Sequence, residues 1–438
     1  MATLQPYNKY NTVKYDYAKA LPDGWQLLPN IAIFQERIER GYEKEELLSV
    51  TIGKGVIRQT DVDIKKDSSN EDKSKYKLIK VGDIAYNKMR MWQGALGYSD
   101  YQGISSPAYI ILKPRMKINT RYFHYMFRTA FYTNYSKRFS YGIVDDQLSL
   151  RYTDFKRMYS IVPPFDVQNS IVEYLDKKNN EIEKFIRNKE RLIELLEEEK
   201  IANITDAISG GSFSNKAIKA TSDLWLTTIP SDWQWYRIKT VCTRITNGFV
   251  GPTRDILVSE GVRYIQSTHI RDNKIDFHTP YFVKEKWSNQ NSRSILDEGD
   301  ILITQTGGKT GNLCIVPKDF EGTNCHALII LKVNKRKISS DYLFYVLKSY
   351  YGESKLYSIR TGALHPHLNS TIVCDINIPV PSLEIQQTIN SQIKRANEII
   401  TLAISKAKNE IASIKEYRES LITDLVLGKR SIPQFQVS

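Results

Sequence analysis

The chain has 438 residues, 41% of them hydrophobic, with 62 Lys and Arg against 49 Asp and Glu and a net charge of +13. This composition provides for cores in about two to four domains and excludes a disordered chain; the positive surplus calls for an acidic partner, whether polyphosphate, anionic membrane or acidic protein. A membrane is the weakest of these, because the longest apolar stretches, such as 327–333, are strand-sized and far short of the roughly 20 residues of a span.

The N-terminal MATLQPYNKYN lacks the charged-then-apolar order of a signal peptide. Residues 20–163 then mix short β-branched runs with Gly, Asn and Asp, the pattern of short buried strands such as Ala108 to Leu112. After Pro163-Pro164 the pattern turns helical, with apolar Ile171, Leu175, Ile182, Phe185, Leu192 and Leu196 forming a heptad-like seam. Over about 40 residues such a helix reaches roughly 60 Å. Ser209-Gly210-Gly211-Ser212 ends it and opens a linker, 211–227. A second mixed part, 228–380, includes the runs Ile301 to Thr304 and Ala327 to Val333; a second helical part, 381–438, carries Ile389, Ile393, Ile400, Ala403 and Ile414. Cys242, Cys314, Cys325 and Cys374 contain no C-x-x-C and read as reduced core residues of a cytoplasmic protein.

The second half repeats the first. Val81-Gly82-Asp83-Ile84 matches Glu298-Gly299-Asp300-Ile301, and Ala108-Tyr109-Ile110-Ile111-Leu112-Lys113 matches Ala327-Leu328-Ile329-Ile330-Leu331-Lys332. Val162-Pro163-Pro164-Phe165-Asp166-Val167-Gln168 matches Val380-Pro381-Ser382-Leu383-Glu384-Ile385-Gln386, and Ile204-Thr205-Asp206 matches Ile422-Thr423-Asp424. The shifts are 217, 219, 218 and 218, in one order; upstream, Pro22-x-x-Trp25 and Pro230-x-x-Trp233 are 208 apart. This is tandem duplication of one large unit rather than a solenoid. Two helices of equal length, each too long for a globular core, favour packing on one another. Residues 166–208 hold seven basic and eleven acidic side chains, and 383–428 hold six of each. The positive surplus therefore belongs to the mixed parts.

Several motifs imitate chemistry. Gly307-Gly308-Lys309-Thr310 resembles a P-loop, but Ile303 stands where the first glycine is needed to wrap phosphates. Val162-Pro163-Pro164-Phe165 is similar to the Asx/Ser-Pro-Pro-aromatic tetrad of amino-methyltransferases, yet valine replaces the polar acceptor. His365-Pro366-His367 reads as a turn, with no further His or Cys cluster nearby, and Glu198-Glu199-Lys200 as a solvated helix face. No catalytic residue and no metal ligand emerges. Binding chemistry remains. Tyr86, Asn87, Lys88, Arg90, Trp92 and Gln93 interleave aromatic, amide and basic groups after a predicted strand; Thr304, Gln305, Thr306 and Lys309 stand at the equivalent place, with Gln266, Ser267 and Thr268 upstream. Arg and Lys grip phosphates or guanine edges, and Asn and Gln pair with adenine.

The duplicated plan resembles the specificity (S) subunit of type I restriction-modification systems. The blocks carrying the likeness are Lys80 to Arg90 with Ser105-Ser106-Pro107-Ala108-Tyr109, then Gly299 to Ile303 with Gly307 and Gly311, then Ile378-Pro379-Val380-Pro381 leading to Gln386-Gln387. The resemblance covers about Pro22 to Gly428. It implies an α+β fold: two mixed α/β target-recognition domains with short-strand sheets, 1–163 and 228–380, joined by two long antiparallel coiled-coil helices, 164–210 and 381–438, as a pseudo-twofold tandem repeat. Each domain then reads one half of a split double-stranded DNA site. The helices dock two methyltransferase subunits, outside which sit ATP-driven restriction (translocase) subunits. S-adenosylmethionine, ATP and Mg belong to those partners; this chain itself binds no cofactor. The two loops differ, KMRMWQG against TQTGGKTG, which implies an asymmetric site. A 60 Å spacer sets roughly 18 base pairs as the upper bound on reader separation. Two other readings stay open: the recognition part of a self-contained restriction or methylation enzyme, which needs a cofactor or nuclease motif, and a basic coiled-coil scaffold for acidic proteins. An adenine methyltransferase gene beside this one favours the specificity subunit.

Overall fold

The computed structural model describes residues 4–15, 18–62, 72–143, 148–211, 216–362 and 366–432. The chain forms two compact units, Met1–Lys189 with Asn409–Ser438, and Glu190–Lys408. Among the described residues no helix is long and apolar enough to cross a membrane.

Each unit is built on a four-stranded antiparallel sheet of one topology. In the first, the strands run Phe34–Glu36, Tyr109–Pro114, Ile84–Asn87, Leu96–Tyr98 across the sheet; in the second, Cys242–Asn247, Leu328–Val333, Ile301–Thr304, Leu313–Ile315. Ile84 faces Leu112 and Tyr98 where Ile301 faces Leu331 and Ile315. The runs are apolar throughout because both faces of the sheet are covered. Ile301, Ile303, Leu313 and Leu331 enter one core, while Leu302, Cys314, Leu328 and Ile330 enter another behind it. The first unit does the same with Ile84, Tyr86, Leu96 and Leu112 against Ala85 and Ile111. Each aliphatic side chain so buried contributes about 1.5–3 kcal/mol over exposure.

The Gly-Asp pairs turn the chain into these sheets. Gly82 and Gly299 adopt φ of 92° and 86°, a region glycine enters without a Cβ clash. Asp83 accepts from the Lys80 amide at 2.8 Å and Asp300 from the Asp297 amide at 2.9 Å. Asp83 is held by Arg37 at 2.7 and 3.0 Å, and Asp300 by Lys332 at 3.3 Å. Burial is the leading influence on the Asp300 carboxyl and pushes its pKa up.

Capped helices follow. Asn119 caps Thr120–Arg128 as Ser339 caps Ser340–Lys348, and Thr129 caps Ala130–Phe139 as Ser349 caps Tyr350–Ser358. Buried Gln168 accepts from the Asn119 amide at 2.8 Å and donates to the Pro163 carbonyl at 2.8 Å; Gln386 repeats this with Ser339 and Pro381 at 2.9 and 3.0 Å. These glutamines explain the Gln of the third repeated block: each ties its long helix to the cap of a domain helix.

The repeats diverge at His124, whose counterpart is Phe344. His124 Nδ1 accepts the Tyr98 amide proton at 3.1 Å, and burial pushes its pKa down to about 3. A base whose folded pKa lies below the unfolded value near 6.5 takes up protons preferentially on unfolding, so its stabilisation is lost as pH falls from about 6.5. Melting of the intact chain from pH 7.5 to 5 should show the loss in the first unit, at up to about 1.4 kcal/mol per pH unit. His124→Phe should flatten that profile; an unaltered pH dependence would remove His124 as its source.

The long helices are Phe165–Ser209, 45 residues, and Leu383–Val426, 44 residues, or about 66 Å each. In the first unit Glu183 pairs with Arg418 and Lys189 with Glu410, both at 2.6 Å. One number rises as the other falls, so the helices run antiparallel, and Ile171, Val172 and Leu175 share a core with Leu421, Leu425 and Val426. In the second unit Lys200 reaches Thr401 at 3.5 Å, while Ile204, Ala207 and Ile208 share a core with Ile389 and Ile393. Ile171, Leu175, Ile182, Ile389, Ile393 and Ile400 are buried as expected of seam residues; Phe185, Leu196, Ala403 and Ile414 are half-buried. Leu192 corrects the reading: it is 40% exposed, because the inward line runs through Ile186 and Ile193 rather than Phe185 and Leu192.

The P-x-x-W motifs receive the helix ends. Gly210, with φ of 90°, lies on Pro230 and near Trp233 in the second unit; Gly428, with φ of 68°, lies on Pro22 and Trp25 in the first. Both are left-handed C-terminal caps.

Candidate nucleic-acid interface

In the first unit the loop after strand Ile84–Asn87 is rigid from within. The Asn87 side chain accepts the Met89 amide at 3.0 Å, the Arg90 carbonyl accepts from Gln93 and Ala95 at 3.1 Å each, and Gly94 closes the turn at φ 84°. Met91 plugs the loop into the core. Arg90 and Gln93 are exposed, while Asn87 and Lys88 are half-buried. Lys88 and Arg90 pair with no carboxylate among the described residues. Trp92 is half-buried, its Nε1 enclosed without a partner and its ring 4.8 Å below Lys137 Nζ.

In the second unit Thr304 and Gly311 close the equivalent loop, with Gly311 donating to the Thr304 carbonyl at 2.8 Å. Thr306, Gly308 and Lys309 are exposed. Lys309 also pairs with no carboxylate among the described residues. The Thr310 hydroxyl holds the turn through the carbonyls of Gly307 and Pro366 at 2.6 and 2.9 Å. A strand, not a helix, follows at Leu313–Ile315, so the loop has no helix N-terminus to present to a phosphate.

Both loops rest on a second segment that the sequence reading missed. The Leu150 amide donates to the Lys88 carbonyl at 2.8 Å, and the Leu368 amide donates to the Gln305 carbonyl at 2.9 Å. Tyr141 bridges Ser149 as Thr361 bridges His367, and Thr306 also bridges His367. The shift of 218 between Leu150 and Leu368, within the 217 to 219 of the other blocks, is the signal that marks these segments as equivalent.

Residues 230–413 match the family model of the type I restriction modification DNA specificity domain. Along 97% of its length the chain is 24% identical to the type I restriction enzyme MjaX specificity subunit of Methanocaldococcus jannaschii, covering 98% of that protein. It is 23% identical to the MjaVIII specificity subunit of the same organism over 81% of this chain and 82% of that one. Residues 230–413 thus match the type I DNA specificity domain, and nearly the whole chain is similar to type I specificity subunits. The fold agrees. A chain from a structure of the assembly and conformational transition of the type I R-M system superposes with a TM-score of 0.70 at 16% identity, over 93% of this chain and 98% of that chain. The HsdS subunit from Thermoanaerobacter tengcongensis does so at 0.55 and 15%, over 95% and 99%. The two mixed domains with two long helices expected from the resemblance are therefore the architecture of this chain.

Within this chain the predicted contact residues divide. Arg90, Gln93, Thr268, Thr306 and Lys309 lie exposed, and Asn87, Lys88, Trp92, Gln266 and Ser267 are half-buried. Tyr86, Thr304 and Gln305 are corrections. Tyr86 is fully buried against Phe155, with ring centroids 5.4 Å apart. Thr304 is fully buried too, and Gln305 is 6% exposed. All three lie where strands still covered on both faces meet their loops, so their side chains serve packing. Gln266 to Thr268 form a separate knot: the Gln266 amide donates to His269 Nδ1 at 3.0 Å, which leaves Nε2 as the donor to the Thr279 carbonyl at 2.9 Å. Desolvation lowers the pKa of His269, which keeps this tautomer neutral. No hydrogen bond among the described residues joins that knot to the 304–311 loop. His365 lies outside the described residues; His367 is a bridge residue of the second segment.

Proposed function

We propose that this subunit reads a two-part, asymmetric double-stranded DNA sequence, one part with each mixed domain (1–163 and 228–380), and performs no chemistry itself. The observation that carries the reading is the pair of equivalent loops, rigid and differently sequenced, that offer uncompensated Arg90 and Lys309 on matching scaffolds. An unpaired cation on a rigid loop suits a phosphate or base edge, since its immobilisation is already made in the free protein. Difference in the loops supports asymmetry in the site. The long helices act as spacer and as docking surface for two methyltransferase subunits, through which restriction subunits join. S-adenosylmethionine, ATP and Mg act on those partners, in the cytoplasm where the duplex lies.

Binding of fluorescent duplex by the complex with its methyltransferase subunits, across a salt series, tests this. Arg90→Ala and Lys309→Ala should each weaken binding and make the logarithmic salt slope shallower by about 1 if they touch phosphate. Unchanged affinity and slope in both would remove the loops from the interface. The chain alone should transfer no methyl group; transfer without a partner would favour the self-contained enzyme instead.

A further inference from the structure

We propose that Arg360, outside either loop predicted from sequence, is a sequence-reading residue of the second repeat and that it reads a guanine. The inference rests on the DNA-specificity reading above. Arg360 follows the helix Tyr350–Ser358. Its guanidinium carbon lies 5.0 Å from the centre of the Tyr357 ring, which is itself 71% exposed. On the loop side is Gly311: a Cβ built there would fall 2.8 Å from Arg360 Nη2 and 3.7 Å from Cζ. Gly311 also holds φ of 90°. The guanidinium is thus seated between an aromatic ring and the Gly311 backbone of the recognition loop, where an added Cβ would press on it and shift it.

Among the described residues no carboxylate pairs with this charge. Arg37, by contrast, is neutralised by Asp83 and Glu39, and Arg121 by Asp100 and Asp176. Arg360 forms no ion pair among the described residues, and its Nε is enclosed without a hydrogen-bond partner. It also lines a cavity of about 510 Å³ with Gly311, Asn312, Tyr350 and Tyr357, so there is space beside it for a ligand. With Nε turned inward, the two terminal amino groups remain as the donor fork.

A phosphate needs only charge, which Lys309 offers on the same loop. A planar fork held over an aromatic ring suits the O6 and N7 edge of guanine. The first repeat reinforces the point by its difference. There Gly94 occupies the place of Gly311 at φ 84°, and the cation over the loop is Lys137, 4.8 Å above the Trp92 ring. Both repeats lay a cation from the second domain helix region across the loop, but only the second repeat uses a guanidinium. A guanine contact is therefore expected in one half-site and absent at the equivalent place in the other.

The test is the methylation motif of the whole complex, mapped in cells that carry this chain with the methyltransferase subunits of its own genome. Arg360→Ala should relax one G·C position in one half of the motif, with discrimination there reduced by about 5- to 150-fold and the other half unchanged. Arg360→Lys, which keeps charge and loses the fork, should relax the same position. Gly311→Ala, which displaces the guanidinium, should do so as well. A motif unchanged by Arg360→Ala overturns the proposal, as does a uniform loss of methylation that Arg360→Lys restores, because that is a phosphate contact. A wild-type complex with no two-part motif overturns the DNA-specificity reading itself, a result distinct from a wild-type motif that the variants leave intact.

Discussion

One heptad inserted into each long helix should change the gap between the two half-sites by at least one base pair. Seven residues add about 10.5 Å of helix, which sets about 3 base pairs as the ceiling. Seven is the length that preserves the inward line through Ile182, Ile186 and Ile193. The insertions belong beside Lys200 and Thr401, which face each other at 3.5 Å in the second unit, so that both antiparallel strands of the pair lengthen together. An insertion in one helix alone leaves an unmatched loop of seven residues and is expected to abolish methylation. Three added base pairs also turn the duplex by roughly 100° at about 10.5 base pairs per turn, which is why the realised shift falls below the ceiling. Motif mapping reads the result: the sequences of the two halves stay as they were and the count of unread bases between them grows. A gap that stays the same in the double insertion would contradict the spacer role.

Trp233→Ala carries the largest expected loss of stability, about 3–5 kcal/mol. Trp233 has no solvent exposure and sits in the core of the second unit with Ile204, Ala207 and Ile208, the last turns of the first long helix. Truncation removes the whole indole from that core and opens a large cavity. A Cβ built on the Gly210 cap would fall 3.7 Å from the indole, so the tryptophan lies beneath the end of the helix. Hydrogen exchange of the full chain should show faster opening at 200–209 and in the second unit. The matching Trp25→Ala should loosen 420–428 in the first unit, less severely, because Trp25 retains 8% exposure. Exchange at 200–209 indistinguishable from wild type would remove Trp233 from that role.

The architecture was largely legible because it is periodic and duplicated. Runs such as Ile301 to Thr304 and Ala327 to Val333 announce buried strands, and the repeat fixes where their partners lie in the other half. The helical seam was legible in kind and wrong in detail at Leu192: a stride of seven from Phe185 lands one position off the inward line, and single-residue phase is set by the packing of both helices. The sites were less legible. Arg90 and Lys309 stand out as exposed cations in both sequence and structure, but Tyr86, Thr304 and Gln305 look like loop residues and are core, since nothing local marks the residue at which a doubly covered strand ends. Arg360 was beyond reach from local pattern. Its place depends on Gly311 and Tyr357, which are 49 and three residues away in sequence and meet it only through the fold.

The central claim, that one chain specifies a duplex at two places, is tested most directly by mapping adenine methylation in the source cells with and without this gene. The account predicts one asymmetric motif in two parts with a fixed unread gap, present with the gene and lost on its deletion. A contiguous motif, or methylation that persists unchanged after deletion, would contradict it.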